Sequence, residues 1–379
     1  MTAEFDCKIP NFTQCSPTKE DLEYVDLVNL DLSNFDKVND RRKLAASLLE
    51  GVTSHGFLTI TNHGIPEALY SSQVDLAHAL LTLPPEEKWP FETTPEQEKK
   101  GLNIGFKPSG SQKHKQGFHK TLDHYNFPAT TNSCDDEHPR LLHSHLAQVD
   151  ELVNHFRQKL VPKILALVAI VLEVPEEHLH STHASGTQPC SEYLRCLLYH
   201  PRPAESGTQY RDLWLGGHTD LGSITFIFSQ PVSSLQIRLP SGDWKWVRYI
   251  PGALIVNVGE ALELLTGGLL RATVHRVVKP PPDQERAKRL GIIYFARPRD
   301  DQRLRPLDSP LLRRLGIHEP LDERIFTMSQ YLHARKHGYK RLDFDQVWSR
   351  LKGLGAEADG GPLRGEHAPR PLPGLEATT

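Results

Sequence analysis

The chain has 379 residues, of which 38% are hydrophobic and 24% charged, and its formal net charge is −3 at pH 7. This length is sufficient for one large buried core or two modest ones, and the near-zero net charge argues against a nucleic-acid partner. Five irregularly spaced cysteines argue against a disulfide framework. Without a secretory leader or an apolar run of about 18 residues, we expect a cytoplasmic protein with no membrane partner, and a monomer by default.

In the first half of the chain, apolar residues at helical spacing predict helices over residues 40–55 and 67–80. Between these helices, the β-forming residues 57–61 predict a strand. Residues 96–135 are rich in Gly, Ser, Lys and His, which is typical of an irregular loop that covers a site. A long amphipathic pattern then predicts one supporting helix over residues 141–173.

From about residue 190 the hydrophobic period changes from helical to alternating. The predicted strands are 192–199, 222–228, 234–239, 244–249, 253–258, 271–278 and 290–297. Many short strands at close spacing favour an antiparallel sandwich or barrel. A last helix is predicted over 323–340, and residues 354–379, with few large apolar side chains, are expected to form a disordered tail.

A candidate metal site begins with His218 and Asp220, which point to the same side of an extended chain because they are two positions apart. A third candidate ligand, His275, lies 57 residues further on in a β-rich segment. Two imidazoles and one carboxylate form the ligand set of many non-haem iron(II) sites and leave coordination positions open. The same three groups could hold zinc, so the ligand types alone do not separate the two metals.

Arg289 is a candidate anchor for an anionic ligand. On an alternating strand it shares one face with Gly291, Ile293 and Phe295, a face that is otherwise apolar. A buried arginine needs an anionic partner, and a carboxylate can supply a two-pronged hydrogen bond. The alternatives at this point are that Arg289 is a surface residue at a strand end, or that Arg286 is the anchor, although its charged turn favours solvation.

Several motifs in order resemble one enzyme family. They are His55-Gly56-Phe57, Asn62-His63-Gly64-Ile65, His124-Tyr125-Asn126, Tyr199-His200-Pro201, Gly217-His218-Thr219-Asp220-Leu221-Gly222-Ser223-Ile224-Thr225, Asn257-Val258-Gly259-Glu260, His275-Arg276-Val277-Val278 and Arg289-Leu290-Gly291. Over roughly residues 20–345, the chain resembles the isopenicillin-N-synthase-like branch of the iron(II)- and 2-oxoglutarate-dependent dioxygenases, and it is most similar to fungal members.

This resemblance implies an α+β fold whose core is a distorted jelly roll, or double-stranded β-helix, flanked by helices. It implies an N-terminal region over residues 1–185 and an oxygenase domain over residues 186–345. It also implies iron(II) at His218, Asp220 and His275, and dioxygen and 2-oxoglutarate as co-substrates. Arg289 would hold the distal carboxylate of 2-oxoglutarate, and Tyr199 would assist at the same carboxylate.

One position departs from the family pattern. The family has a serine two residues after the arginine, and this chain has Gly291. One hydroxyl hydrogen bond to the carboxylate is therefore missing, which is worth about 0.5–1.5 kcal/mol net. The departure leaves open an iron oxidase or oxidative cyclase of the same fold that needs no 2-oxoglutarate.

The expected reaction hydroxylates, desaturates or cyclises a small organic substrate and releases succinate and carbon dioxide. The family resemblance implies a substrate of secondary metabolism. A zinc-dependent hydrolase and a non-catalytic binding protein on the same scaffold are the further alternatives. The candidate pocket residues are the 101–126 loop, Phe295, Arg297 and Phe226, of which Phe226 is expected to be a core residue instead. Four lysines could meet an acidic substrate or form a solvated loop face: Lys107, Lys113, Lys115 and Lys120.

Overall fold

The computed structural model describes residues 9–94, 96–97, 104–109, 122–128, 138–183, 190–201, 212–317, 325–338 and 340. Its strands are β1 (Asn29–Asp31), β2 (Phe57–Thr61), β3 (Gly105–Lys107), β4 (Leu122–Pro128), β5 (Tyr193–Tyr199), β6 (Leu213–His218), β7 (Ile224–Phe228), β8 (Leu235–Arg238), β9 (Trp244–Trp246), β10 (Leu254–Val258), β11 (His275–Val278) and β12 (Arg289–Ala296). The helices are α1 (Val38–Ser54), α2 (Glu67–Leu81), α3 (Pro85–Lys88), α4 (Leu146–His155), α5 (Val161–Leu172), α6 (Glu176–His180), α7 (Glu260–Leu265), α8 (Pro310–Arg314) and α9 (Met328–Lys336).

The described strands form two sheets. The larger has the order β1-β2-β10-β7-β12-β5-β4-β3, and the smaller has the order β6-β11-β8-β9. All pairings are antiparallel except that of β1 with β2. Strands that are distant in the chain are neighbours in each sheet, which is the arrangement of a double-stranded β-helix. The predicted α+β jelly roll is therefore confirmed.

Helices cover the outer face of the large sheet. The ring of Phe156 stacks on Tyr294 of β12 at 5.0 Å and lies 5.5 Å from Phe226 of β7. Phe226 has no exposed surface. It is therefore part of the core between the sheet and the helices, as the sequence analysis favoured, and does not line a pocket.

The single long helix predicted over residues 141–173 is wrong in detail. The chain instead forms α4 and α5, joined by one π-helical turn over Phe156–Leu160. Pro162 follows this turn, and a proline lacks the N–H group that would continue the regular hydrogen-bond ladder. Pro162 removes one N–H donor from the helical hydrogen-bond ladder. The widened turn accommodates this loss and keeps both helices on the sheet.

The irregular loop predicted over residues 96–135 is also partly wrong, because it contains β3 and β4. β4 pairs with β5 along seven positions, from Leu122 opposite Tyr199 to Pro128 opposite Tyr193. β4 was not predicted from the sequence because polar side chains occupy one of its faces and obscure the apolar alternation of a strand. Lys107 ends β3, whereas three of the four loop lysines lie outside the described residues: Lys113, Lys115 and Lys120.

The remaining helices differ from expectation mainly at their ends. The last predicted helix is shorter than 323–340: α9 begins after Thr327, whose side chain and Gln330 form a reciprocal capping box. Besides β3 and β4, the elements that were not predicted include β6, α7 and the short helices α3, α6 and α8. The expected tail over 354–379 lies outside the described residues, and the boundary at residue 185 stays a prediction. No described helix combines the length and apolar character needed to cross a bilayer.

Glu192 is a buried carboxyl just before β5. It accepts hydrogen bonds from the Tyr294 hydroxyl at 3.1 Å and the Arg297 backbone N–H at 3.3 Å, and the Arg157 Nε lies 3.6 Å away. Burial outweighs these favourable contacts and raises the pKa of Glu192 from 4.5 to about 7. The native protein therefore retains a proton that the unfolded chain releases.

We expect the free energy of unfolding to contain a term that decreases as pH rises from about 4.5 to 7. At about 1.4 kcal/mol for each pH unit between the two pKa values, this term is roughly 3 kcal/mol. Glu192→Gln should remove it, so the variant should gain stability relative to the parent as pH rises. Urea denaturation at several pH values between 5 and 8 measures the difference, with exposed Glu50→Gln as the control. Identical pH slopes for parent and Glu192→Gln would contradict the prediction.

Candidate metal centre

The three predicted ligands come together at one end of the two sheets. In the small sheet, β11 pairs with β6 so that His275 lies directly opposite His218. One potential ligand atom from each of His218, Asp220 and His275 lies within 4.8 Å of the others. The Asp220 Oδ1 is 3.8 Å from the Nε2 of His218 and 3.9 Å from the Nε2 of His275.

Both histidines are oriented by backbone carbonyls. The Nδ1 of His218 lies 3.0 Å from the carbonyl oxygen of Gly216, and the Nδ1 of His275 lies 3.2 Å from that of Thr273. A carbonyl can only accept, so each ring carries its proton on Nδ1 and presents Nε2 as the ligand atom. This arrangement fixes the tautomer in which both rings can bind one metal.

The Asp220 carboxylate is held with one oxygen towards the histidines. Its other oxygen, Oδ2, accepts from the Thr225 hydroxyl at 2.7 Å and from the Asn257 side-chain amide at 2.8 Å. Burial acts to raise the pKa of Asp220, but the two histidines and these hydrogen bonds outweigh it and lower the pKa. Asp220 is thus a buried, ionised carboxylate, which suits a metal ligand.

The N-terminal motif His55-Gly56-Phe57 packs against the third ligand. The edge of the Phe57 ring contacts the His275 imidazole, with ring centroids 5.4 Å apart. Gly56 adopts a positive φ of 67°, and a Cβ there would lie only 2.4 Å from the Arg271 carbonyl oxygen. The absence of a side chain lets β2 approach the segment that leads into β11.

Glu260 connects the metal loop to the C-terminal helix. Its carboxylate accepts from the hydroxyl of Thr219, the residue between the first two ligands. It also accepts from the Tyr331 hydroxyl at 2.6 Å and from two guanidinium nitrogens of Arg335, each at 2.8 Å. Glu260 belongs to one of the family motifs, but its role is not visible in the sequence because its partners on α9 are more than 70 residues away.

Arg289 lies on the large sheet, where it begins β12 and pairs with Tyr199 of β5. It is 4% exposed, its Nε has no hydrogen-bond partner, and no carboxylate of the described chain pairs with it. The guanidinium carbon lies 5.3 Å from the Tyr199 ring centroid. Since a buried, unpaired charge is costly, this position requires an anionic ligand. Arg286 is exposed, as expected for the competing candidate.

Tyr199 relates this arginine to the metal ligands. Its ring stacks on Trp214 of β6 with a centroid distance of 5.5 Å, so the stack bridges the two sheets. Burial raises the pKa of Tyr199, and the charges of Arg289 and Asp220 both act on its hydroxyl. Tyr199 therefore lies within electrostatic reach of both Arg289 and the metal ligand Asp220.

Sequence reasoning missed Arg195, which belongs to what we call the arginine–aromatic cluster: Tyr193, Arg195, Phe295 and Arg297. The Arg195 guanidinium carbon lies 5.2 Å from the Tyr193 ring centroid and 5.1 Å from that of Phe295, and its Nε donates to Asn126. The alternation Tyr193-Arg195-Leu197-Tyr199 could have revealed it, because these residues share one face.

The cluster lies beside the metal ligands. Phe295 pairs across the sheet with Thr225, the residue that donates to Asp220. Arg297 is 7% exposed, lies 4.9 Å from the Tyr193 ring centroid and donates to the Ser191 carbonyl. No carboxylate within the described ranges forms an ion pair with Arg195 or Arg297. The cavity thus combines a carboxylate and two imidazoles with cationic groups that lack acidic partners.

We expect Glu260→Gln to weaken metal binding by about tenfold, because the change loosens the segment between His218 and Asp220 without removing a ligand. Anaerobic titration of the apoprotein with cobalt(II), followed by visible absorption, measures the affinity. Exposed Glu50→Gln is the control, since it makes the same substitution on the solvent side of α1. Equal metal affinities in the parent and Glu260→Gln would contradict the prediction.

Comparisons with known proteins agree with this geometry. The model of the 2OG-Fe(II) oxygenase superfamily matches residues 190–298. A second model, described as the non-haem dioxygenase in morphine synthesis N-terminal region, matches residues 27–149. The 2-oxoglutarate-dependent dioxygenase citB of Monascus ruber is 28% identical over 289 residues, which cover 70% of this chain and 82% of that protein. Homoarginine-6-hydroxylase 2-ODD-233 of Oryza sativa subsp. japonica is 26% identical over 263 residues, 67% of this chain and 77% of that protein.

Solved structures share the fold. A full-length Neurospora crassa protein in complex with alpha-KG superposes with a TM-score of 0.70 at 19% identity, covering 84% of this chain and 99% of that one. JOX2 in complex with 2OG, Fe and JA gives a TM-score of 0.67 at 20% identity, and the match covers 88% of this chain and 92% of JOX2. The two sequence models account for the N-terminal and the jelly-roll regions in the expected order. The chain therefore belongs to the 2OG-Fe(II) oxygenase superfamily and is an iron(II)- and 2-oxoglutarate-dependent dioxygenase.

Proposed function

We propose that this dioxygenase oxidises a small organic substrate that carries an acidic group, with iron(II) held by His218, Asp220 and His275. In this proposal Arg289 holds the distal carboxylate of 2-oxoglutarate, and Tyr199 assists there. The observation that carries the co-substrate assignment is the buried guanidinium of Arg289, which has no acidic partner in the described chain and lies against the Tyr199 ring. A dicarboxylate supplies the missing charge.

Iron(II) held by His218, Asp220 and His275 would supply the oxidising power together with dioxygen and 2-oxoglutarate; one oxygen atom of O2 would enter succinate as CO2 leaves, and the other would be available to oxidise the substrate. The residues of the chain supply binding and orientation. Asp220 is a ligand and not a general base, because one oxygen faces the histidines and the other is already hydrogen-bonded to Thr225 and Asn257. The rings of Tyr199 and Trp214 are both buried and stack next to the Arg289 guanidinium, where they provide an apolar wall.

The acidic substrate group is supported by the arginine–aromatic cluster. Its two guanidinium groups pair with no described carboxylate, and its two stacked rings, 4.6 Å apart, offer an apolar surface beside them. Guanidinium groups of this type bind carboxylates through fixed pairs of N–H donors. Similar structures are consistent with small molecules: the Neurospora crassa protein has been solved with thymine, and JOX2 with JA.

Finer assignments stay predictions. They include the isopenicillin-N-synthase-like branch, a role in secondary metabolism, and the choice among hydroxylation, desaturation and ring closure. That choice depends on which substrate C–H bond the cavity places near the iron. The cytoplasmic location and the monomeric state also stay predictions.

Anaerobic titration with iron(II) and then 2-oxoglutarate tests the metal and co-substrate residues. We expect a visible metal-to-ligand charge-transfer band in the parent and none in His218→Ala or Asp220→Ala. Arg289→Ala should weaken 2-oxoglutarate binding by about 10–100-fold, since a charge-assisted hydrogen bond is worth about 1.5–3 kcal/mol. Exposed Arg286→Ala is the control. A parent-like band in Asp220→Ala would refute the ligand assignment.

The same preparation separates the alternatives that the sequence left open. Substrate turnover without succinate formation would indicate the 2-oxoglutarate-independent oxidase that Gly291 left open. Activity of the zinc-loaded protein without iron would indicate a hydrolase instead. Succinate formed in proportion to oxidised substrate is the expected result.

We expect substrates found by a succinate-release screen to be acids, because Arg195 and Arg297 supply positive charge that no acidic side chain among the described residues balances. The screen should present each carboxylic acid beside its primary amide. For the best acid, Arg195→Gln should raise KM at least tenfold and have a smaller effect on kcat, whereas exposed Arg248→Gln should change neither. Equal turnover of acids and amides by the parent would argue against the acidic substrate group.

A further inference from the structure

The Gln230 side chain lies where a side chain at Gly291 would have to be, on the face of the large sheet that carries Arg289. Gly291 is two residues after Arg289 in β12, so a side chain there would point to the same side as the arginine. A Cβ on Gly291 would lie 2.7 Å from the Gln230 Nε2 and 3.0 Å from a Leu197 methyl group. The Gln230 amide therefore fills the volume that a side chain at position 291 would need.

Gln230 reaches this position from the neighbouring strand. β7 and β12 are antiparallel, and Ile227 pairs with Ile293. The chain that continues beyond Phe228, the last residue of β7, therefore runs alongside the Gly291 end of β12. Gln230 lies two residues beyond that strand end, which places its amide beside the glycine.

The Gln230 amide is also incompletely satisfied. Its Oε1 is buried and has no hydrogen-bond partner among the residues that the structure describes. A buried polar group without a partner costs free energy, and such groups are rare in native proteins unless a ligand or water satisfies them. The Arg289 Nε is a second buried atom without a partner on the same face. The Oε1 can only accept a hydrogen bond, whereas the Nε2 on the Gly291 side is the atom of Gln230 that can donate to an anionic ligand of Arg289.

We propose that the Gln230 amide replaces the hydroxyl group that is missing at Gly291 and donates its N–H to the distal carboxylate of 2-oxoglutarate. This inference rests on the proposed function, in which Arg289 binds that carboxylate. A carboxylate can accept about four hydrogen bonds, and one guanidinium fork satisfies about two of them. A neighbouring amide is a chemically suitable additional donor, since it offers two N–H groups and adds no charge.

The proposal makes positions 230 and 291 a matched pair. With Gln230 present, a serine at 291 must displace the amide, whereas with alanine at 230 the same serine has room and restores a hydroxyl donor. The effects of the two substitutions should therefore be non-additive, as expected for residues that share one space and one partner. Non-additivity alone also follows from shared space, so a second ligand is needed to separate hydrogen bonding from packing.

The test measures 2-oxoglutarate affinity on the iron(II)-loaded full chain without oxygen, from the charge-transfer band. We expect Gln230→Ala to weaken binding about tenfold. The double variant Gly291→Ser/Gln230→Ala should recover to within about threefold of the parent, and Gly291→Ser alone should not improve on the parent. Exposed Gln158→Ala is the control and should match the parent.

A second ligand separates hydrogen bonding from general damage to the site. 2-Oxopentanoate has the keto acid end of 2-oxoglutarate but no distal carboxylate, so Gln230→Ala should leave its affinity unchanged. Gln230→Glu keeps the size of the side chain and replaces the donor with a negative charge. It should weaken 2-oxoglutarate binding more than Gln230→Ala does, with a much smaller effect on 2-oxopentanoate.

Unchanged 2-oxoglutarate affinity in Gln230→Ala and Gln230→Glu would overturn the inference. Equal weakening of both keto acids would also overturn it, because the glutamine would then act only by packing. These failures are distinct from failure of the proposed function. If the parent gives no charge-transfer band, or if Arg289→Ala binds as tightly as the parent, the proposed co-substrate site itself is wrong.

Discussion

The pairing of β11 with β6 is the constraint on which the site depends. It places His275 opposite His218, and a slip of one residue would turn His275 to the other face of the sheet. Contacts from three separate regions hold the surrounding elements in this register. Phe57 contacts His275 from the N-terminal region, Asn257 donates to Asp220 from β10, and Glu260 links Thr219 to the last described helix.

The large sheet separates two environments. On its outer face, Phe156 and Tyr294 stack in a mainly apolar core, in which the Tyr294 hydroxyl donates to the buried Glu192 carboxyl. On its cavity face, the neighbouring strands carry Arg289, Tyr199 and Arg195. One strand can serve both because side chains alternate between faces. Packing on the apolar face stabilises the fold, and this stabilisation offsets the free-energy cost of burying charged groups on the other face.

The cavity is electrostatically incomplete without ligands. Asp220 is balanced locally by two histidines and two hydrogen bonds, whereas Arg289 has no acidic partner in the described chain. Arg195 and Arg297 add two more guanidinium groups nearby. The arginines favour ligands that bring negative charge, such as a dicarboxylate and an acidic substrate, whereas Asp220 and the two histidines suit a metal cation. In this proposal Gln230 adds a neutral hydrogen-bond donor beside Arg289, where no further positive charge is needed.

The sequence by itself determined the features that depend on local spacing. The strand at 57–61, the face shared by Arg289 and Gly291, and the His-x-Asp pair follow from a period of two residues, and a family resemblance indicated the jelly roll. Only the tertiary structure decided that β3 and β4 join the sheet and that a π-helical turn interrupts the long helix. Only it placed Gln230 in the space beside Gly291, 61 residues away in the chain. The physical reason is that hydrophobic periodicity reports which side of an element is buried, whereas the partner that fills a given space is set by packing between distant strands.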